Sequence, residues 1–282
     1  METKAPTSKN VRRTVQISNV TARPTAVTMS WIAIPISAPI PPCLSSLVAK
    51  FPRIDCHLAR LTTVGGVYEA TWGRAFSALY DRLLAGTEDA GLRELRRRTL
   101  AQASGQTIDI GAGTGANVGL FPKGLQRLVL AEPDPHMTKR LRRKLIESGS
   151  SAELVQAPAE ELPFEDSSFD TAVFTLVLCT VPDPPAALAE AARVLRPGGK
   201  LLFVEHVRAH DWGLARWQDR LEFPWKLFAD GCRCNRDTVA NIEASRLSIE
   251  EVEYGEMPKA PPLVRPLVWG SASVGAGGPQ AS

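Results

Sequence analysis

Gln106-Thr107-Ile108-Asp109-Ile110-Gly111-Ala112-Gly113-Thr114-Gly115 decides how this chain reads. A short apolar strand runs into a turn with glycine at alternate positions, ahead of an expected helix. Glycine takes positive φ without a Cβ penalty and leaves backbone N–H groups uncovered, so a ligand can approach the main chain closely. The loop alone leaves the ligand open, because Gly111, Gly113 and Ala116 also satisfy the dinucleotide pattern G-x-G-x-x-G/A. Downstream, the strand Arg127 to Ala131 ends at Glu132, where a carboxylate can accept both hydroxyls of a ribose. Either nucleotide reading allows that.

The next elements separate them. Ala157-Pro158-Ala159-Glu160-Glu161-Leu162-Pro163-Phe164 is followed by Ser168-Phe169-Asp170, opening an apolar strand over Thr171 to Leu178, and then by Arg193-Val194-Leu195-Arg196-Pro197-Gly198-Gly199-Lys200. In that order these motifs resemble the class I S-adenosylmethionine (SAM)-dependent methyltransferases, type 11 group, over about residues 105 to 207. The resemblance implies that the Asp109–Gly115 loop, with Gly111, Ala112 and Gly113, holds the methionine part of SAM. It implies Glu132 for the ribose and the stretch around Ala159 and Glu160 for the adenine, and it adds Asn117, Pro133, Thr175 and Leu176 to the cofactor set. One position departs from the pattern. Family members often carry Asp two residues before Glu160, where it meets the adenine amino group, and here that residue is Pro158. Backbone groups or Glu160 must then serve.

Further blocks narrow the likeness. Gly115-Ala116-Asn117, Pro133-Asp134-Pro135-His136, Thr175-Leu176-Val177-Leu178-Cys179, Glu205-His206-Val207, Trp217-Gln218, Pro224-Trp225-Lys226 and Asp230-Gly231-Cys232 look like the methyltransferase-like 7 family. That resemblance implies a membrane-associated enzyme that methylates alkyl thiols and begins with an apolar anchoring segment.

Composition sets bounds on these readings. At 282 residues, 44% of them hydrophobic, the chain can bury a full α/β core with length to spare. Net charge is only +3. The basic clusters Arg96-Arg97-Arg98 and Lys139-Arg140…Arg142-Arg143-Lys144 lack interleaved aromatics, so they read as solvated helix faces and no nucleic-acid partner is expected. Cys43, Cys56, Cys179, Cys232 and Cys234 form an odd set without disulfide-framework spacing, which suits a reducing compartment. Cys232-x-Cys234 with His206-x3-His210 lacks zinc-knuckle spacing, so no metal is expected.

The surplus length is N-terminal. Residues 1–63 are nearly free of acid at first, then apolar but broken by Pro35, Pro39, Pro41 and Pro42, which prevents a continuous spanning helix. They read as a disordered or over-extended leader, with the methyltransferase domain at 64–274 and a loose tail at 275–282. From Val67, the spacing of Tyr68, Trp72, Phe76, Leu79 and Leu83 predicts a helix over the cofactor pocket. Thr87 is expected to cap a second helix, with Glu88 and Asp89 early and Arg96 to Arg98 late to suit its dipole.

Strands at Arg127–Ala131, Leu154–Ala157, Thr171–Leu178 and Leu201–Val207 then alternate with helices at Pro135–Ser148 and Pro184–Val194. The alternation predicts an α/β fold with a doubly wound, mostly parallel seven-stranded sheet. Leu247–Tyr254 and Val264–Ser271 would add a C-terminal antiparallel hairpin, and Trp217–Leu227 and Asp237–Ser245 helices beside the acceptor site.

A methyl group on a sulfonium is already activated, so its transfer needs an aligned nucleophile, a dry channel and, for a protonated acceptor, a base. His206, at the carboxyl end of the fifth strand, is the first candidate for base or acceptor-positioning residue, against a structural strand-end histidine. Asp230 is the second, against a turn-forming Asp before Gly231. Cys179 is expected to line the pocket. The function expected is a SAM-dependent transferase of a small, rather lipophilic acceptor, an alkyl thiol by resemblance. The rivals are a quinone, phenol or phospholipid-headgroup methyltransferase and, in another class, a non-catalytic SAM-binding protein or an NAD-dependent oxidoreductase. The aromatic stretch Trp212 to Phe228 reads as a buried lid in preference to a membrane-touching surface. A monomeric, cytoplasmic enzyme with peripheral membrane contact at most completes the expectation.

Overall fold

The computed structural model describes residues 81, 82 and 84–275. The N-terminal segment 1–63, the helix expected from Val67 and the tail beyond Gly275 lie outside the described residues. The first strands are β1 (Gln106–Ile110), β2 (Arg127–Ala131), β3 (Glu153–Val155) and β4 (Phe169–Thr175). They are joined by β5 (Leu195–His206), β6 (Leu247–Glu256) and β7 (Pro266–Val274) into one sheet of order β3-β2-β1-β4-β5-β7-β6. All pairings from β3 to β5 are parallel, and β5-β7 and β7-β6 are antiparallel, as the motif order predicts. Central strands such as Phe169-Asp170-Thr171-Ala172-Val173-Phe174-Thr175 are almost wholly buried because helices cover both faces of a parallel sheet. The outer strand β6 is mostly exposed and carries Glu250, Glu251, Glu253 and Glu256, charges that discourage pairing with another chain.

The helices are α1 (Arg93–Leu100), α2 (Pro135–Ser148), α3 (Pro184–Val194), α4 (Trp212–Phe228) and α5 (Thr238–Glu243). Four begin on an Asp whose side chain accepts backbone N–H bonds: Asp134, Asp183, Asp211 and Asp237. Proline follows Asp134 and Asp183 at the first helical position, where its missing N–H costs nothing. Because Asp211 caps α4, that helix starts five residues before the expected Trp217.

Several expectations need correction. Thr87 is no cap: its φ of −76° and ψ of −43° are helical, and its side chain makes no capping bond. The helical stretch continues through it, with a kink at Gly91, where φ is +138°. Arg96 is not on a solvated face but only 2% exposed. No α-helix follows the glycine loop. Residues 111–120 form tight turns instead, because Gly113, Gly115 and Gly119 all take positive φ. The third strand is shorter than predicted. The fourth ends at Thr175, because Leu176 turns left-handed with φ +58°. Finally, the aromatic stretch is not a buried lid: Trp212, Trp217, Phe223, Leu227 and Phe228 of α4 are exposed.

Candidate functional site

The strand order reverses between β1 and β4, and ligands of such sheets bind at the carboxyl ends beside that reversal. There the chain leaves β1 through Gly111, whose amide, with that of Ala112, donates to the carbonyl of Ala131 at 2.8 and 3.0 Å. The glycines serve different ends. A Cβ on Gly111 would lie 2.6 Å from a Val177 methyl, and one on Gly115 would lie 2.7 Å from Leu141 Cδ1. Those two are required by close packing. A Cβ on Gly113 would meet nothing within 4 Å, so this residue borders open space at the mouth of the loop.

Beneath the loop lies a buried polar network. Asp109 is 1% exposed, and Asn117 donates from Nδ2 to both its carboxylate oxygens at 3.1 and 3.0 Å and to Thr175 Oγ1 at 2.9 Å. The Arg96 guanidinium donates to Asn117 Oδ1 at 3.2 Å and to Glu88 Oε1 at 3.0 Å. Burial pushes the Asp109 carboxyl up to about 7, although Asn117 and Arg96 pull it down. Asp81 ties the preceding helix to the loop by accepting from Thr114 Oγ1 at 2.5 Å.

Glu132, at the end of β2, faces the same loop. Its Oε2 accepts from the Gly113 amide at 2.8 Å and its Oε1 from the Asp134 amide at 2.9 Å. Burial raises its pKa against those two bonds, and the charges of Asp134 and Asp230 add to the rise. Each carboxylate oxygen keeps a further lone pair for a ligand hydroxyl. Along the rim, Pro133 is exposed, Ala159 is buried and Glu160 accepts from the Asp183 amide at 3.1 Å. Leu176 completes the rim in its left-handed conformation, a strain of about 1–3 kcal/mol that surrounding structure must hold.

The ends of β4 and β5 form a second corner. Glu205 is fully buried and its Oε1 accepts from the amides of Val177 and Leu178 at 2.8 and 3.1 Å, which fixes the loop carrying Cys179. His206 is 4% exposed, and its Nε2 lies 3.1 Å from Cys232 Sγ. Cys179, His206 and Cys232 bring their ligand atoms within 4.8 Å of one another. Contact with Cys232, then burial, holds the Cys179 thiol well above its ordinary range. Trp225 Nε1 donates to Cys232 Sγ at 3.4 Å. Asp230 and Gly231 form a left-handed turn, φ +49° and +90°, just before Cys232. The charge of Asp230 adds to the rise in the Glu132 pKa, after burial and the charge of Asp134. Cys234 and His210, which the spacing would group with Cys232 and His206, go elsewhere: Cys234 donates to the Gln218 carbonyl and His210 packs edge-on to Tyr254.

Residues 108–203 match a family model described as a methyltransferase domain. The human thiol S-methyltransferase TMT1A is 32% identical over 202 residues, which span 70% of this chain and 82% of that protein. The chain belongs to the methyltransferase-like 7 family of SAM-dependent methyltransferases. Human TMT1B, also a thiol S-methyltransferase, is 39% identical over 184 residues, 61% of this methyltransferase and 73% of that protein. A SAM-dependent methyltransferase from Thermotoga maritima has the same fold, with a TM-score of 0.53 at 24% identity, covering 71% of this chain and 97% of that one. SAM is therefore the cofactor, and the reaction is methylation of a small acceptor.

The sequence reading missed several polar partners in this methyltransferase. Glu88, Arg96 and Asp81 reach the site from the preceding helical segment, and Glu205 acts from inside the sheet. Only Arg96 left a trace in the sequence, because a residue four positions from both Leu92 and Leu100 shares the helix face those leucines bury.

Proposed function

We propose that this methyltransferase moves the SAM methyl group to a small, lipophilic alkyl thiol held between the glycine loop and the Cys179–His206–Cys232 corner. The observation that carries the reading is that corner, where sulfur and imidazole groups cluster at the ends of β4 and β5 beside the left-handed Leu176. The names of the human relatives support a thiol. The residues of the loop fit SAM, because the space over Gly113 is open and Glu132 offers free lone pairs beside it.

When bound, SAM supplies a methyl group on a sulfonium, transferred in line as the acceptor sulfur's electron pair forms the new bond and the donor's C–S pair stays with the leaving thioether. The Asp109–Gly115 loop would hold its methionine part, Glu132 would take the ribose hydroxyls, and Ala159 and Glu160 would border the adenine. Thr175 and Leu176 shape the path between donor and acceptor. A thiol is only a few per cent thiolate at neutral pH, so the pocket must favour the anion. His206 positions the acceptor sulfur and favours its deprotonation, and Asp230 closes the site on the cofactor side.

We also infer that the enzyme works as a cytoplasmic monomer in peripheral contact with a bilayer. The exposed Trp212, Phe223 and Leu227 of α4, with Arg216 stacked 4.5 Å over Trp212, support the bilayer contact. No described helix is long and apolar enough to cross a membrane.

The test titrates the full chain with SAM and with NAD, then follows tritium from methyl-labelled SAM into a short alkyl thiol. SAM binding with labelled thioether supports the reading. SAM binding with label appearing only in a quinone, phenol or phospholipid replaces the acceptor, and binding of NAD alone overturns the reading.

A further inference from the structure

The same corner holds more than an acceptor pocket needs. Cys179 comes from the loop after β4, His206 from the end of β5 and Cys232 from the turn after α4, three segments far apart in sequence. The two cysteines are held from behind. The Cys179 carbonyl accepts from the Arg233 amide at 2.8 Å, and Arg236 donates to the neighbouring Leu178 carbonyl. Glu205 fixes the amides on the other side of that loop. Cys232 receives the Trp225 indole N–H. The His206 ring turns Nε2 toward Cys232 Sγ, 3.1 Å away.

We propose that Cys179, His206 and Cys232 bind a thiophilic divalent ion of the Zn²⁺ type, leaving its fourth position for the acceptor thiol. Tetrahedral zinc with Zn–S of about 2.3 Å and Zn–N of about 2.0–2.1 Å separates its ligand atoms by about 3.5–3.8 Å. The three donor atoms lie within 4.8 Å of one another, and the 3.1 Å between His206 Nε2 and Cys232 Sγ needs to open only slightly. Two cysteines, one histidine and an open position make up a catalytic rather than a structural donor set. The charges suit burial: two thiolates neutralise the ion, and Arg236, close enough to interact with both cysteines, offsets the thiolate that joins them. Leu176 and Trp225 pack in the same apolar cluster as Cys232, so apolar side chains border the three donors. A thiol binding there loses its S–H proton to solvent and keeps its electron pair for attack, as a metal-bound thiolate at neutral pH. The role of the ion rests on the thiol reading above, with His206 acting through the metal; the site itself does not.

The experiment is metal analysis of the full chain purified without chelator from zinc-supplemented culture. About one equivalent of zinc is expected, falling below about a tenth in Cys179→Ser, Cys232→Ser and His206→Asn but retained in Cys234→Ser and His210→Asn. SAM titration of each variant shows that it has folded. In cobalt-substituted protein, intense tetrahedral bands with sulfur-to-metal charge transfer are expected, and they should shift on adding an alkyl thiol. Metal-free protein that binds SAM and methylates the thiol at full rate, a Cys179–Cys232 disulfide in its place, or zinc retained in the three ligand variants overturns the metal site while leaving the acceptor intact. Stoichiometric zinc lost in those variants, with no thiol methylated, keeps the metal site and removes the thiol reading.

Discussion

Asn117 donates from one side-chain nitrogen to both carboxylate oxygens of Asp109 and to Thr175 Oγ1, while its own Oδ1 accepts from Arg96. A single buried amide thus joins the end of β1, the end of β4 and helix α1. Replacing it by Leu leaves three buried partners short of a bond, each worth about 1–3 kcal/mol when orphaned. Asn117→Leu is expected to lose at least about 3 kcal/mol in urea denaturation, with the larger loss at pH 8, where Asp109 is ionised and most needs the donor. Equal losses at pH 8 and pH 5 would contradict this coupling.

Asp109 itself carries a pH signature. Its folded pKa of about 7 lies above the ordinary 3.8, so the folded chain holds the proton more tightly than the unfolded one. Stability from this group is therefore fully present below about 4 and declines as pH rises to about 7, by roughly 4 kcal/mol for a shift of this size. Asp109→Asn removes that decline. The variant's denaturation midpoint relative to wild type should climb between pH 5 and pH 8; a constant difference across that range would refute the assignment.

Proton release on cofactor binding gives an independent reading of the same residue. At pH 7 about half of Asp109 carries a proton in the free enzyme, and a cationic sulfonium donor nearby favours the ionised form. SAM binding at pH 7 should release a fraction of a proton, seen as calorimetric heats that differ between buffers of unlike ionisation enthalpy. Heats independent of buffer would place the positive charge of SAM away from Asp109.

The two loop glycines should separate stability from binding. A methyl on Gly111 collides with Val177 and must also tolerate φ of +73°, so Gly111→Ala is expected to unfold the protein by about 2–3 kcal/mol. Gly113 has open space above it, and Gly113→Ala should cost only about 1–2 kcal/mol, from its left-handed backbone. Gly113→Val should keep the fold while SAM affinity drops at least about tenfold, or 1.4 kcal/mol. Undiminished SAM affinity would show that the loop is not the cradle.

Arg96 and Glu88 form an ion pair that is 2% and 10% exposed at its side chains. Removing one member strands the other, at a cost of about 3–5 kcal/mol, whereas replacing both by apolar residues costs far less. Arg96→Leu should therefore be much more destabilised than Glu88→Leu/Arg96→Leu, as measured by a double-mutant cycle. Additive losses would mean the pair is not coupled.

The sheet was legible because its signals are local. Apolar runs at 106–110 and 127–131, the Asp-Pro starts of α2 and α3, and the glycine loop each state their element without help from elsewhere. Boundaries went wrong where a distant side chain claimed a backbone group. Glu205 takes the amides of Val177 and Leu178, so β4 stops short of the expected Leu178. Asp211 caps α4 ahead of Trp217, and three positive-φ glycines replace the expected helix after the loop with turns. The Thr87 cap failed because a helical residue cannot also act as the break that begins a helix.

The sequence by itself determined the class of fold, the glycine loop and the strand-end carboxylate that faces it, because periodicity, turn glycines and strand-end acids follow from residues close together in the chain. Only the tertiary structure decided which polar groups meet. Sequence spacing would pair Cys232 with Cys234 and His206 with His210, yet folding sends Cys234 into the core beneath Gln218 and His210 onto Tyr254. It brings Cys179 from 53 residues away instead, alongside His206 and Cys232. A parallel sheet places the carboxyl ends of neighbouring strands side by side whatever their separation in sequence, so the chemistry assembled there belongs to the fold and not to any one motif.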